Sequence, residues 1–239
     1  MSKYRHYKKD DKHSYAMGTY PTIDLLKFAP KQVEFVAINA NALDSEGVQE
    51  VIKLCNEQRI RYEMSDRMIE RIAPKENTYC VGVFRKYESS LQPDTNHVVL
   101  VGPRDMGNLG TIIRSMAGFG VQDLAIVRPA ADIFDPRVVR SAMGALFQLR
   151  FQYFENYYEY QGKFGSRTAY PFMLDGKEQL GAVKFAKPWS LLFGNEGQGL
   201  SEDFQHVGTS VTIPHSDRID SLNLSIAAGI ALWETQKSA

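Results

Sequence analysis

The sequence predicts an α/β protein whose larger carboxyl-terminal domain carries a mostly parallel sheet, preceded by a smaller α/β domain. Three observations support this. Continuous β-branched runs such as "HVVLV" and "DLAIV" alternate with stretches of helical periodicity, the pattern of a parallel sheet covered on both faces. The stretch "ESSLQPDTNH", rich in Ser, Pro, Asp and Asn, interrupts that alternation as a domain boundary does. An apolar fraction of 44% over 239 residues is ordinary for packed protein and leaves room for two unequal domains.

The first dozen residues, "MSKYRHYKKDDK", hold five Lys/Arg and no aliphatic side chain beyond the first Met, so they cannot build a core. Residues 1–14 read as a flexible basic arm. It is either a solvated terminus or a source of loose phosphate contacts, helped by the interleaved Tyr4, His6 and Tyr7. Next come "TIDLLKF" as a short helix and "VEFVAIN" as a strand. "SEGVQEVIKLCNEQR" reads as an amphipathic helix with Val48, Val51, Ile52 and Leu54 at helical spacing. "IRYEMS" reads as a strand, "DRMIERIA" as a helix capped by Asp66, and "TYCVGVFRKY" as a closing strand. Residues 15–87 thus form a small domain with no catalytic constellation, better suited to binding than to chemistry. Residues 88–96 read as a linker.

From residue 97 to 239 the alternation resumes. "HVVLVGP" is a strand, "NLGTIIRSMAGFG" a helix closed by Gly118 and Gly120, "DLAIVRP" a strand and "DPRVVRSAMGALF" a helix. "FQYFENYYEY" leads from strand into helix, "TAYPFML" and "WSLLFG" are strands, and "LSEDFQHVG" and "SVTIPH" precede the last helix. That helix, "LNLSIAAGIALW", is apolar nearly all round, as a fully buried helix would be.

Lys plus Arg equals Asp plus Glu at 28 each, so overall charge neither favours nor excludes nucleic acid. Cys55 and Cys80 lie in apolar surroundings without metal-ligand spacing, and no signal peptide is apparent; a reducing cytoplasmic compartment is expected, with no metal. No apolar run reaches the roughly 20 residues of a membrane span.

In an open parallel sheet, ligands bind where strands end, so the loops after the strands carry the functional question. Three are unusual. "GPRDMGNLGTIIRS", residues 102–115, lacks the lysine and spacing of a phosphate loop; Asn108 is placed as a helix N-cap and Arg114 follows within two turns. "LLFGNEGQGLS", residues 191–201, runs a strongly apolar strand into a turn with Gly194, Gly197 and Gly199. Glu196 sits among these glycines and needs solvent, a donor or a ligand. "VTIPHSDRIDSLNLS", residues 211–225, opens the last helix with Ser221, Asn223 and Ser225. Capping by Asp220 or Ser221, with Asn223 serving early N–H groups, explains some of these polar side chains but not all.

Together the three segments resemble the SpoU, or TrmH-like, family of RNA 2′-O-ribose methyltransferases in the SPOUT superfamily. Asn108 with Arg114, "GNEGQGLS" and "IPHSDRIDSLNLS" occur in the family's order. The resemblance spans about residues 97 to 237, and the domain before it looks like the ribosomal-protein-L30e-like substrate-binding domain often attached to this family. It implies a SPOUT α/β domain tied in a trefoil knot, an exception to the rule against threaded chains. It implies S-adenosyl-L-methionine as cofactor, near Leu192, Gly194, Gly199, Ile213, Leu222 and Asn223, and a homodimer with each site completed across the interface. Arg114, Asn108, Glu196, Ser221 and Asn223 would be the catalytic set, and Arg137 and Arg140 would border the RNA. Ribosomal RNA is favoured over transfer RNA. The alternative is a catalytically inactive RNA-binding protein of the same fold. One departure stands in the third motif, where family members commonly carry a glycine and this chain has His215, Ser216 and Asp217.

Overall fold

The computed structural model of the chain describes residues 4–73 and 78–237. In chain order, the first part runs β1 (His13–Met17), α1 (Thr19–Phe28), β2 (Val33–Ile38), α2 (Glu46–Gln58), β3 (Tyr62–Met64), α3 (Asp66–Ile72) and β4 (Cys80–Arg85). After it come β5 (His97–Val101), α4 (Met106–Gly118), β6 (Asp123–Val127), α5 (Pro136–Ser141), β7 (Arg150–Phe154) and α6 (Tyr157–Phe164). The chain closes with β8 (Thr168–Pro171), β9 (Glu178–Gln179), β10 (Trp189–Phe193), β11 (Val211–Thr212) and α7 (Leu224–Lys237). Contacts divide the chain into two units: residues up to 87 with 132–148, and residues 88–131 with 149–239.

The first unit is a four-stranded sheet in the order β1-β4-β2-β3, with β2 and β3 parallel and β4 antiparallel to both β1 and β2. Leu26, Val36, Ile38, Val48, Val51, Leu54 and Cys55 pack one face beneath α1 and α2; Tyr15, Phe35, Ala37, Ile69, Ile72 and Val83 pack the other beneath α3. A Cβ on Gly82 in β4 would lie 2.7 Å from Leu25 Cδ2, so α1 packs closely over this strand.

Several sequence expectations change here. Strand β1 falls where the arm was read to end. The arm itself is folded from Tyr4 onward: its ring lies 4.8 Å from that of Phe35 and its hydroxyl donates to Glu34 at 2.8 Å. Tyr7 donates to Asp132, and Lys86 Nζ sits 4.7 Å from the Tyr7 ring centre. Apolar ring area, not aliphatic content, anchors this segment; residues 1–3 lie outside the described residues. Asp66 is the first residue of α3 rather than its cap, and its carboxylate accepts from Ala40 N–H at 2.9 Å. The helix read over "DPRVVRSAMGALF" stops at Ser141, because Met143 and Gly144 adopt φ of 53° and 89° and a 3₁₀ turn follows at Ala145–Gln148. Residues 132–148 belong to the first unit, not to the domain expected over 97–239. There α5 packs on the edge strand β1, Ser14 Oγ donates to Phe134 O at 2.5 Å, and Gln148 donates to Asp24 at 3.0 Å.

The second unit holds a five-stranded, wholly parallel sheet in the order β7-β6-β5-β10-β8. Its central strands are buried on both faces, which accounts for the unbroken apolar runs. Val99, Ala125, Val127, Phe154 and Leu192 meet Tyr157 and Tyr160 of α6, and α4 and α7 pack against each other. The expected linker is part of this core, for Leu91 is buried in it and the carbonyl of Gln92 accepts from His97 and Arg167. His97 Nε2 donates to that carbonyl at 2.8 Å while Nδ1 takes the Tyr160 hydroxyl at 3.0 Å, and Tyr160 in turn meets Ser190 at 2.6 Å. Burial lowers the His97 pKa to about 4.

Candidate active site

Each of the three unusual loops leaves the carboxyl end of a strand, or opens a helix beside one. After β5, Gly102 turns the chain with φ of 69° and α4 begins. The helix cap is Asp105, whose carboxylate accepts from Asn108 N–H at 2.7 Å, so Asn108 is not the expected N-cap. It stands one turn inside, and its side-chain amide is free for other partners.

After β10 the chain makes the glycine turn. A Cβ on Gly194 would lie 1.9 Å from the carbonyl carbon of Gly199, so no other residue fits where the returning chain crosses it. Asn195 closes the turn: its side-chain oxygen accepts from Gly197 and Gln198 N–H at 2.9 and 2.8 Å, and its carbonyl from Gly199 at 3.0 Å. Gly199 sits at φ of 66°, with nothing within 4 Å of where its Cβ would be. The carboxylate of Glu196 reaches across to the β5 loop, accepting from Asp105 N–H at 3.1 Å, Arg104 N–H at 3.3 Å and Asn108 Nδ2 at 3.3 Å.

The third loop delivers Asn223, which is the actual cap of α7 in place of Asp220 or Ser221. Its Oδ1 accepts from Ser225 N–H at 2.9 Å, Ser225 Oγ at 2.7 Å and Ile226 N–H at 3.4 Å. Its Nδ2 donates to Asn108 Oδ1 at 3.0 Å. Asn108 therefore serves Glu196 with its nitrogen and Asn223 with its oxygen, and a single hydrogen-bonded chain ties the glycine turn, the start of α4 and the start of α7.

These loops wall a cavity of about 640 Å³, within the size range of small-molecule sites (roughly 300–1,000 Å³). Of the expected residues, Asn108, Glu196, Gly194, Gly199, Ile213, Ser221, Leu222 and Asn223 line it. Leu192 is fully buried near the carboxyl end of β10, with its carbonyl taken by Phe172 N–H at 2.9 Å, and its side chain is not on the wall. Arg114 is exposed on α4 and is not on the wall either. Six positions at 3.6 residues per turn rotate it about 120° from Asn108. Arg137 and Arg140 lie on α5 in the first unit, exposed; Arg137 makes a two-pronged pair with Asp135 at 2.9 and 2.8 Å.

Two parts of the wall escaped the sequence reading. Residues 172–175, following β8, contribute Met173, the exposed Leu174 and Asp175; the nearby Gly176 would bring a Cβ to 2.4 Å from Val211. The position after a parallel strand was the available signal. His215, from the segment that departs from the family pattern, also lines the cavity, its ring held by the carbonyl of Ile213 at 2.9 Å.

Helix α7 is not buried all round. Ser225, Ala228, Ala231, Leu232 and Thr235 face inward, while Ile226, Ile230 and Trp233 are 53%, 36% and 55% exposed along one stripe.

A parallel α/β sheet whose strand-end loops converge on one cavity defines a ligand-binding α/β protein of the open-sheet class. The SpoU rRNA Methylase family model matches residues 95–233, and the chain belongs to that family. A 23S rRNA (uridine(2479)-2′-O)-methyltransferase of Streptomyces viridochromogenes is 35% identical over 55% of this chain and 49% of its own length. A 23S rRNA (adenosine(1067)-2′-O)-methyltransferase of Streptomyces laurentii is 34% identical over 56% and 52%. The chain thus spans about half the length of these curated relatives. The crystal structure of an AdoMet-bound rRNA methyltransferase from Sinorhizobium meliloti superposes with a TM-score of 0.80 at 27% identity, covering 95% of this chain and 87% of that one. A SpoU methyltransferase from Streptomyces viridochromogenes in complex with AdoMet shares the fold, with a TM-score of 0.81 at 23% identity over 95% and 90%.

Proposed function

We propose that the chain is an S-adenosyl-L-methionine-dependent methyltransferase acting on a ribose 2′-hydroxyl of RNA, with ribosomal RNA as substrate. The observation that carries this reading is the Glu196–Asn108–Asn223 hydrogen-bonded chain, which locks three motif loops around one cavity. The cofactor supplies an activated methyl group when bound. The residues fit it: the glycine turn offers backbone that a ligand can approach closely, and Phe193, Leu200, Ile213 and Leu222 offer apolar walls.

The substrate hydroxyl is a weak nucleophile, so a group must hold its developing charge. Arg114 is a poor base, because a guanidinium offers hydrogen-bond donors and no acceptor. Its role is to pair with the substrate phosphate, whose oxygen takes up the hydroxyl proton, and to stabilise the charge that develops on the 2′-oxygen. Asn108, Glu196, Ser221 and Asn223 hold the loops and orient the ribose. Since Arg114 is not on the wall of the cavity in its own chain, this role requires a second subunit. The exposed apolar stripe Ile226–Ile230–Trp233, on the helix that packs beside α4, supports a homodimer built there. The knotted course of the carboxyl-terminal segment and an L30e-like, RNA-binding role for the first unit belong to the same reading. Arg137, Arg140 and the exposed Arg5, Lys8, Lys9 and Lys12 would contact RNA phosphates. Among the described residues no helix is long and apolar enough to cross a membrane, and no group of side chains could hold a metal. A ribosomal RNA substrate and the free, buried Cys55 and Cys80 accord with a cytoplasmic protein.

The test has two arms. Titration calorimetry with S-adenosyl-L-methionine should show stoichiometric binding, and labelled methyl should pass to ribosomal RNA from cells lacking the protein, at a ribose 2′-oxygen. Absence of cofactor binding, or methylation of bases only, would overturn the proposal. Transfer to transfer RNA alone would overturn the substrate.

A further inference from the structure

Beside the cavity, at the carboxyl ends of β5, β6 and β7, the second unit carries three side chains to which no role has yet been given: Arg104, Arg128 and Tyr153. Their loops are fastened together. Ala131 N–H donates to Pro103 O at 2.8 Å, Tyr153 OH donates to Ala131 O at 3.0 Å, and Gly102 N–H donates to Val127 O at 2.9 Å. The Arg128 guanidinium lies 4.7 Å from the Tyr153 ring centre. The result is a ledge of fixed backbone.

The charges on this ledge are unequally committed. The nearest carboxylates are occupied: Asp105 caps α4, and Glu196 accepts from three donors, among them the main-chain N–H of Arg104 itself. The Arg104 side chain is exposed and has no ion-pair or hydrogen-bond partner among the described residues. Arg128 pairs with Glu155 at 3.2 Å, but the two side chains are 44% and 77% exposed, and such a pair is worth little, so a phosphate can replace Glu155. An unpaired guanidinium and a second one stacked on an aromatic ring, set on a rigid ledge, are the elements of a single-stranded RNA track: one grips phosphate in a fork, the other offers phosphate contact and a surface for a base.

We propose that this ledge carries the RNA strand into the cavity, with Arg104 holding a phosphate next to the target ribose and Arg128 on Tyr153 holding the following nucleotide. Arg104 is then a positioning residue whose location is coupled to the site through Glu196, since its own N–H is bound there. The inference rests on the methyltransferase reading above and adds the substrate track to it.

The experiment compares the full-length wild type with Arg104→Ala, Arg104→Lys and Arg128→Ala, using deproteinised ribosomal RNA from cells lacking the protein. RNA affinity in Arg104→Ala should fall about tenfold and the slope of log K against log salt should decrease by about one. KM for RNA should rise more than kcat falls, cofactor affinity by calorimetry should be unchanged, and Arg104→Lys should recover most of the salt slope. Arg128→Ala should reduce RNA affinity without altering the cofactor. Unchanged RNA affinity and salt slope in Arg104→Ala, in a preparation that methylates RNA as wild type, would overturn the track while leaving the enzyme reading intact. A wild type that binds no cofactor would instead overturn the reading beneath it.

Discussion

Asn223 is the residue on which helix stability and site geometry meet, and two substitutions separate these roles. In Asn223→Ala both are removed: the cap on Ser225 and Ile226 N–H, and the donor to Asn108. Loss of a cap costs about 1 kcal/mol and loss of a hydrogen bond of this kind about 1 kcal/mol. The sum, about 2 kcal/mol, corresponds to a fall of roughly 4–8 °C in Tm for a chain of this size. Asn223→Asp keeps the accepting oxygen, so α7 stays capped and the added negative charge suits a helix start. It removes the Nδ2 donor, however, and sets a carboxylate against Asn108 Oδ1. Asn108 cannot adapt by turning its amide over, because its nitrogen serves Glu196. Asn223→Asp should therefore unfold near the wild-type temperature yet bind S-adenosyl-L-methionine about tenfold more weakly or worse, a loss of about 1.4 kcal/mol or more. Thermal unfolding and calorimetry on the same preparations decide it. Wild-type cofactor affinity in Asn223→Asp would refute the argument that the hydrogen-bonded chain holds the site.

Gly194→Ala should abolish cofactor binding and lower stability, since its methyl would overlap the Gly199 carbonyl carbon; binding at wild-type affinity would mean the turn can open elsewhere. His97 is kept neutral by burial, with its pKa lowered from 6.5 to about 4. The unfolded chain therefore takes up the proton first, and the stability contribution is full above pH 6.5 and declines as pH falls toward 4, by roughly 3 kcal/mol in all. Denaturant unfolding between pH 7.5 and 4.5 should show a steeper decline for wild type than for His97→Gln, and parallel curves would refute it. Ile230→Glu should reduce self-association in sedimentation equilibrium, and cofactor affinity need not follow. A wild type that is monomeric at tens of micromolar would remove the basis for placing Arg114 in a neighbouring site.

The loops were legible because their requirements are local. A parallel sheet puts ligands at strand ends, Gly194 must be glycine for its immediate surroundings, and the Asn and Glu side chains between apolar strands needed partners. The exact cap residues were less legible: Asp105 and Asn108, or Ser221 and Asn223, are equally good acceptors two or three residues apart, and only the backbone decides between them. Strand β1 was missed because a short edge strand with polar flanks has little pattern of its own. The last helix misled for a different reason. Its composition is apolar on every side, and sequence alone does not separate a face buried by its own chain from one left exposed. The destination of residues 132–148 was hidden as well, since a short helix carries no record of which distant strand it covers.

That last segment bears on how the protein is made. The first unit is not finished when the chain passes residue 87, because the helix covering the edge of β1 appears only with residues 136–141. A ribosome producing this chain must lay down β5, α4 and β6 of the second unit before it can complete the first. During that interval β1 presents an open backbone edge, the kind of surface on which nascent chains pair with one another. A fragment ending at residue 87 would keep that edge permanently, so the two units are expected to mature together rather than in order of synthesis.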